Sequence, residues 1–265
     1  MKTYPLLMPI ALVQGLWLWQ RTPSLPIPAG NSGRVGSHGG RPWRVVGVGD
    51  SIMAGTGVKD QHHSLTASYA RLLHERWQRD VEWRVHGIKG ATSATVLKEV
   101  APAVPAANVY IVSCGVNDAT RGVPPTQFVR NLGEILQLLR QTSPKAAILY
   151  GGLPPLDSIP LFPWPLKSIL AERVREMRAA VAQLLARQDR VWSFDFPETM
   201  SPDQFASDGF HPAESACERW ARGLLDLWPQ ALPADLNEVP TSPAARMAGA
   251  VRRATYLNGG TVLGA

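Results

Sequence analysis

Five short apolar or β-branched runs recur along the middle of the chain, and each is separated from the next by a stretch whose apolar residues repeat at helical spacing. The runs are Trp43–Val48, Val81–His86, Asn108–Cys114, Ala146–Tyr150 and Arg190–Phe194. The helical patterns span about Ser64–Gln78, Ser93–Val100, Thr126–Gln141, Leu166–Arg187 and Pro212–Leu227, with Pro144 and Pro229 closing two of them. Few folds admit such alternation. Each crossover must return the chain to the same edge, so the strands lie parallel and helices cover both faces of the sheet. The expectation is an α/β fold around five parallel strands, with functional residues gathered beyond the strands' carboxyl ends.

The chain has 265 residues, enough to bury one substantial core without cross-links or metals. The folded domain is expected over residues 42–230. A segment rich in Pro, Gly and Ser, residues 23–41, reads as a flexible linker before it. Residues 231–265 read as a C-terminal tail, disordered or loosely docked. Residues 1–22 hold an apolar stretch from Tyr4 to Trp19, broken only by Gln14 and punctuated by Pro5, Pro9 and Gly15. That stretch is short for a membrane-spanning helix. It fits an interfacial or anchoring segment that touches a membrane surface through residues 4–19, a cleaved signal with Ile27-Pro28-Ala29 as its best site, or a helix buried against the domain. An uncleaved anchor implies a membrane-associated protein, with the basic residues on its carboxyl side holding the domain in the cytoplasm, and a cleaved signal implies export.

The two cysteines, Cys114 and Cys217, sit in an apolar run and a helical pattern, the usual setting of inert buried thiols. The formal charge of +6 favours anionic surfaces, but the arginines are scattered, no nucleic-acid motif occurs, and no nucleic-acid partner is expected.

The first strand runs directly into Gly49-Asp50-Ser51, which puts Ser51 at a carboxyl end where small neighbours expose its side chain. A dinucleotide fingerprint fails because Ile52 stands where a glycine is required, and no Gly-Lys-Ser/Thr phosphate loop exists. A Gly-x-Ser-x-Gly elbow fails at Met53. A serine hydroxyl needs a base to become a nucleophile. Of the six histidines, His38 lies in the linker, His74 in a helical pattern and His86 at a strand end, and His62-His63 share a polar loop with Asp60. That last group offers a metal reading, yet without further spaced ligands no metal is expected. Only His211 has a carboxylate at close directional spacing, in Asp208-Gly209-Phe210-His211 ahead of Pro212. Such a turn can hold an imidazole tautomer, and it can equally be a surface turn with a helix-capping aspartate. Gly115-Val116-Asn117-Asp118 offers a side-chain amide at the third strand's end, or a plain turn. Gly90 in the loop after the second strand could expose a backbone N–H.

Taken in order, Gly49-Asp50-Ser51, Gly90-Ala91-Thr92-Ser93, Gly115-Val116-Asn117-Asp118 and Asp208-Gly209-Phe210-His211 resemble the four motifs of the SGNH hydrolases, also called the GDSL esterase/lipase superfamily, over roughly Trp43 to Trp228. The first motif continues Ile52-Met53 where the namesake pattern has leucine. The resemblance implies a three-layer α/β/α sandwich of flavodoxin-like architecture with a five-stranded parallel sheet. It also implies Ser51 as nucleophile, His211 as base, Asp208 as its orienting acid, and an oxyanion hole from the Ser51 amide, the Gly90 amide and the Asn117 side chain. No cofactor is implied.

The expected activity is hydrolysis of carboxylic esters of small to medium acyl chains, a small-molecule substrate. A lysophospholipase, acyl-thioesterase or carbohydrate O-deacetylase would use the same constellation, and an inactive binding module would keep the fold without the chemistry. The stretch Gly151–Pro165 carries Leu153, Phe162 and Trp164 among prolines and reads either as an apolar wall for an acyl chain or as a packed crossover loop.

Overall fold

The run Trp43–Gly49 is buried along almost its whole length because it becomes the second strand and lies at the middle of the sheet. In the computed structural model, which describes residues 6–37 and 39–227, the elements follow in the order helix α1 (Met8–Arg21), strand β1 (Ser32–Val35), β2 (Trp43–Gly49), α2 (Leu65–Trp77), β3 (Val81–Gly87), a short helical segment opened by α3 (Ser93–Thr95), β4 (Val109–Ser113), α4 (Val116–Thr120), α5 (Pro125–Thr142), β5 (Ala147–Tyr150), α6 (Leu166–Leu185), β6 (Val191–Ser193) and α7 (Glu214–Asp226). His38 and the tail expected over residues 231–265 lie outside the described residues.

The sheet has six strands in the order β1-β3-β2-β4-β5-β6. All five expected strands form, and they pair in parallel. The sixth, β1, corrects the expectation for residues 23–41: Ser32–Val35 adds an antiparallel edge beside β3, from Ser32 opposite Arg84 to Val35 opposite Val81. Composition does not reveal it, because Ser-Gly-Arg-Val has no strand pattern of its own and is held by pairing. Arg34 donates to Asp80 at 2.7 Å, and Gly33 lies flat on the Trp83 indole, where a Cβ would stand 2.6 Å from the ring.

Alternation along the strands builds two cores. Val46, Val48, Tyr110, Val112, Ile148 and Tyr150 face one side, under the α3 segment, α5 and α6. Val45, Val109, Ile111, Ala147 and Leu149 face the other, under α2 and α7. Each helix turns its apolar stripe inward: α5 buries Phe128, Leu132, Ile135, Leu136 and Leu139, and α7 buries Trp220, Ala221, Leu224 and Leu225. The pattern over Ser93–Val100 reads as one helix but forms a single α-turn, a wide π-turn over Val96–Val100 and a tight turn containing Pro102, which has no N–H to continue it.

The β2–β3 crossover runs to one side of β2 and the chain then returns to place β4 on the other, so the strand order reverses between β2 and β4. In open parallel sheets the crevice beyond such a reversal is where ligands settle.

Candidate functional site

Ser51 stands directly over that crevice. Its position is set by glycines that permit backbone contact: a Cβ on Gly49 would fall 1.9 Å from the Ser113 carbonyl oxygen, and one on Gly87 would fall 2.3 Å from the Ala54 nitrogen. The turn after β2 therefore sinks between the ends of β3 and β4. It is closed by Asp50, whose amide donates to the Ser113 carbonyl at 3.1 Å and whose Oδ1 accepts from the Ile52 amide at 3.1 Å. Burial, with a smaller contribution from the charge of Asp118, pushes the Asp50 carboxyl up to about 7.

His211 arrives from the other end of the domain, and its Nε2 lies 3.0 Å from Ser51 Oγ. Asp208 holds it in three ways. Asp208 Oδ1 accepts from the backbone amides of Phe210 and His211, both at 3.0 Å, while Oδ2 lies 2.5 Å from His211 Nδ1. The Asp208 side chain is 1% exposed and that of His211 10%. Burial alone would raise the Asp208 carboxyl, but the imidazole and the two amide donors outweigh it and hold the group below the usual carboxylate range. An ionised Asp208 can only accept a hydrogen bond, so it fixes the imidazole proton of His211 on Nδ1 and leaves Nε2 as an acceptor for the Ser51 hydroxyl.

The loop carrying this pair is tied down on both flanks. Ala206 donates to the His211 carbonyl at 2.8 Å, Leu161 donates to the Gly209 carbonyl at 3.2 Å, and Lys59 donates from its backbone to Glu214 at 3.0 Å, joining the Ser51 turn to the start of α7.

Asn117 sits in the first turn of the short helix α4 at the far lip of the crevice. Its Nδ2 donates to the Ala91 carbonyl at 3.0 Å, which fixes the amide plane and uses one of its two N–H bonds. The same helix straps the loop that holds Gly90. Arg121 donates to the Gly90 carbonyl at 2.9 Å, and buried Asp118 accepts from the Ser93 amide at 2.8 Å and from Ser93 Oγ at 2.5 Å. Asn131 on α5 donates to the same Ser93 hydroxyl at 2.9 Å. Asn117 and Ser51 both line the cavity at this crevice, and Gly90 is not among the residues that line it.

That cavity is about 220 Å³ and apolar. Its walls come mainly from the segment after β6 and from α7: Phe194, Phe196, Met200, Phe205, Phe210 and Trp220. The three residues expected to form an acyl wall are placed differently. Leu153 is 2% exposed within the core, Phe162 backs Phe210 edge to face at 5.7 Å between ring centroids, and Trp164 points outward at 63% exposure. The loop's contribution to the cavity is instead Pro154 and Ile159. The aromatic wall escaped sequence reasoning because residues 194–212 contain no long regular element. The recurrence of Phe194, Phe196, Phe205 and Phe210 between a strand end and the histidine was the signal available.

The remaining sequence candidates stay apart from this site. His62 Nδ1 lies 2.8 Å from exposed Asp60, and no group of three or more His, Cys, Asp or Glu side chains able to hold a metal occurs among the described residues. Cys114 and Cys217 are buried and free, and burial raises both thiols.

A family model described as GDSL-like lipase/acylhydrolase matches residues 48–219. A comparison with curated protein sequences gave no match. Among solved structures, the lipase Lip_vut3 from a goat rumen metagenome shares 14% identity at a TM-score of 0.58, covering 69% of this chain and 96% of that one. TesA shares 24% identity at a TM-score of 0.53, over 71% of this chain and 99% of that one. The family 3 carbohydrate esterase of Clostridium thermocellum shares 13% at a TM-score of 0.52, over 70% and 94%. At such identities the structural likeness speaks for the fold, while the family match runs from the end of β2 through the histidine loop and into α7. This chain belongs to the GDSL-like lipase/acylhydrolase family and is a hydrolase.

Proposed function

We propose that the protein is a serine carboxylic-ester hydrolase that cleaves esters of small to medium acyl chains. The observation that carries this reading is the continuous hydrogen-bonded line from Ser51 Oγ through His211 to Asp208, ending at an apolar cavity. In the proposed first step Ser51 Oγ attacks the ester carbonyl as His211 Nε2 takes the hydroxyl proton, and Asp208 stabilises the imidazolium. The carbonyl oxygen becomes an oxyanion facing the Ser51 and Gly90 amides and the second N–H of Asn117 Nδ2. Collapse breaks the bond to the alcohol, which leaves with the proton from His211. Water then attacks the acyl-enzyme with His211 as base again, releasing the acid and restoring Ser51.

The acyl group would lie against Phe194, Phe196, Phe205 and Phe210. A lining so poor in polar groups favours a hydrocarbon chain over a sugar, and a volume of about 220 Å³ favours a short or medium one. Hydrolysis of p-nitrophenyl esters of graded chain length tests the assignment. Activity is expected to peak at short to medium chains, and Ser51→Ala should lower kcat by at least about a thousandfold with unchanged thermal melting. Equal activity in the variant, or no labelling of the parent by a fluorophosphonate, would overturn it. A peak on acyl-thioesters or acetylated sugars instead would reassign the substrate within the same chemistry.

A further inference from the structure

Helix α1 is apolar on the side that faces away from the protein. Its inner seam is narrow, with Ala11 and Leu18 buried against the domain. Gln14, its only polar side chain before Gln20, also points inward, donating to the Trp164 carbonyl at 2.8 Å and accepting from the Leu166 amide at 3.2 Å. Leu12, Val13, Leu16, Trp17 and Trp19 are left between 50% and 80% exposed. This inverts the usual amphipathic arrangement, in which the polar face meets water.

The exposure is confined to one flank. Among the described residues, the large hydrophobic side chains that are strongly exposed all lie between Leu6 and Ile27, apart from Ile88 and Trp164. Trp164 is the residue whose carbonyl Gln14 grips, and Ile88 adjoins Lys89, whose ammonium donates to Ser24 Oγ at 2.7 Å and to the Leu25 carbonyl at 2.5 Å. The N-terminal arm thus straps the loop after β3 to the loop after β5. Both loops leave the carboxyl edge of the sheet, the edge that bears the Ser51 cavity.

Charge identifies the occupant. No Asp or Glu precedes Asp50, whereas Lys2, Arg21, Arg34, Arg41 and Arg44 do. Arg34 and Arg44 turn to Asp80 and Glu82, but Arg21 stacks over the Trp17 ring at 5.3 Å, a basic group beside an interfacial aromatic. Tryptophan is the side chain that favours the headgroup region, and this flank exposes three. With 14 residues α1 reaches only about 21 Å, too short to cross a hydrocarbon core of about 30 Å, and no helix among the described residues is long and apolar enough to do so.

We infer that the outer face of α1, together with Trp164, docks in the plane of an anionic lipid surface and holds the Ser51 edge of the domain beside it. Docking needs no turnover, so it stands or falls separately from the proposed role of Ser51.

The test is co-sedimentation of the full chain carrying Ser51→Ala with phosphatidylcholine vesicles, with and without phosphatidylglycerol. Binding is expected to the anionic vesicles and to weaken with added salt. Leu12→Asp with Leu16→Asp should weaken it at least about tenfold, as should Trp17→Gln with Trp19→Gln, which alters no charge. Circular dichroism melting identifies any variant that no longer folds, and the other pair then decides. Absence of binding to both vesicles, or binding that neither pair reduces, overturns the inference. A concentration-dependent dimer that these substitutions dissolve, without vesicle binding, would assign the face to a second copy of the chain.

Discussion

Asn117 divides its amide between structure and the proposed chemistry. One N–H is committed to the Ala91 carbonyl, so the other is aimed without the freedom of an unanchored side chain. Asn117→Ala should therefore lower kcat by about 10²- to 10³-fold while leaving KM nearly unchanged, because in the proposed mechanism the lost donor acts on the developing oxyanion rather than on the bound ester. Steady-state kinetics on a p-nitrophenyl ester separates the two constants. At this scale the sequence was informative wherever the geometry is local. Asp208 and His211 meet within one turn, so their spacing offered the contact, although a surface turn with a capping aspartate has the same spacing. The pairing of His211 with Ser51 came instead from the resemblance of the four ordered motifs to the SGNH hydrolases. The cavity wall was not legible, since Phe194, Phe196 and Phe205 converge only through the path of an irregular segment. Leu153, Phe162 and Trp164 attracted notice for being apolar, and apolarity does not distinguish a side chain facing a cavity from one facing the core.

The edge strand β1 shows what pairing can impose on an unpromising stretch. Its Gly33 exists in contact with the Trp83 indole, and a methyl group there would displace either the ring or the strand. Gly33→Ala is expected to destabilise the domain by about 1–3 kcal/mol, as overpacking does, read as a lower urea midpoint at unchanged slope. Elements with strong internal periodicity, such as α5 and α6, were legible to within two residues at each end. Those whose form depends on neighbours were not. Ser32–Val35 is a strand only because β3 offers an open edge, and Ser93–Ala103 leaves α-helical geometry already at Val96 and ends in a tight turn at Pro102.

Across the whole molecule two buried carboxyls oppose each other in their response to acid. Asp208 is held low, so its contribution to stability is present above the ordinary carboxyl range and is lost as pH falls through its depressed value. Asp50 is held high, near 7 against an ordinary 3.8, so its contribution is complete below 3.8 and is lost as pH rises through about 7. Asp50→Asn removes the second effect alone. The melting temperature of that variant relative to the parent should rise between about pH 4 and about pH 8, and a pH-independent difference would show that Asp50 is not titrating in this window. The hydrogen bond from Ser51 to His211 joins positions 160 residues apart, one after strand β2 and the other just before helix α7. In polymer terms it is among the most non-local contacts the fold makes, so closing it carries a high loop-entropy cost. During refolding from urea, far-UV ellipticity should accordingly recover first and fluorophosphonate labelling of Ser51 last, so that reactivity at one hydroxyl reports completion of the entire chain topology.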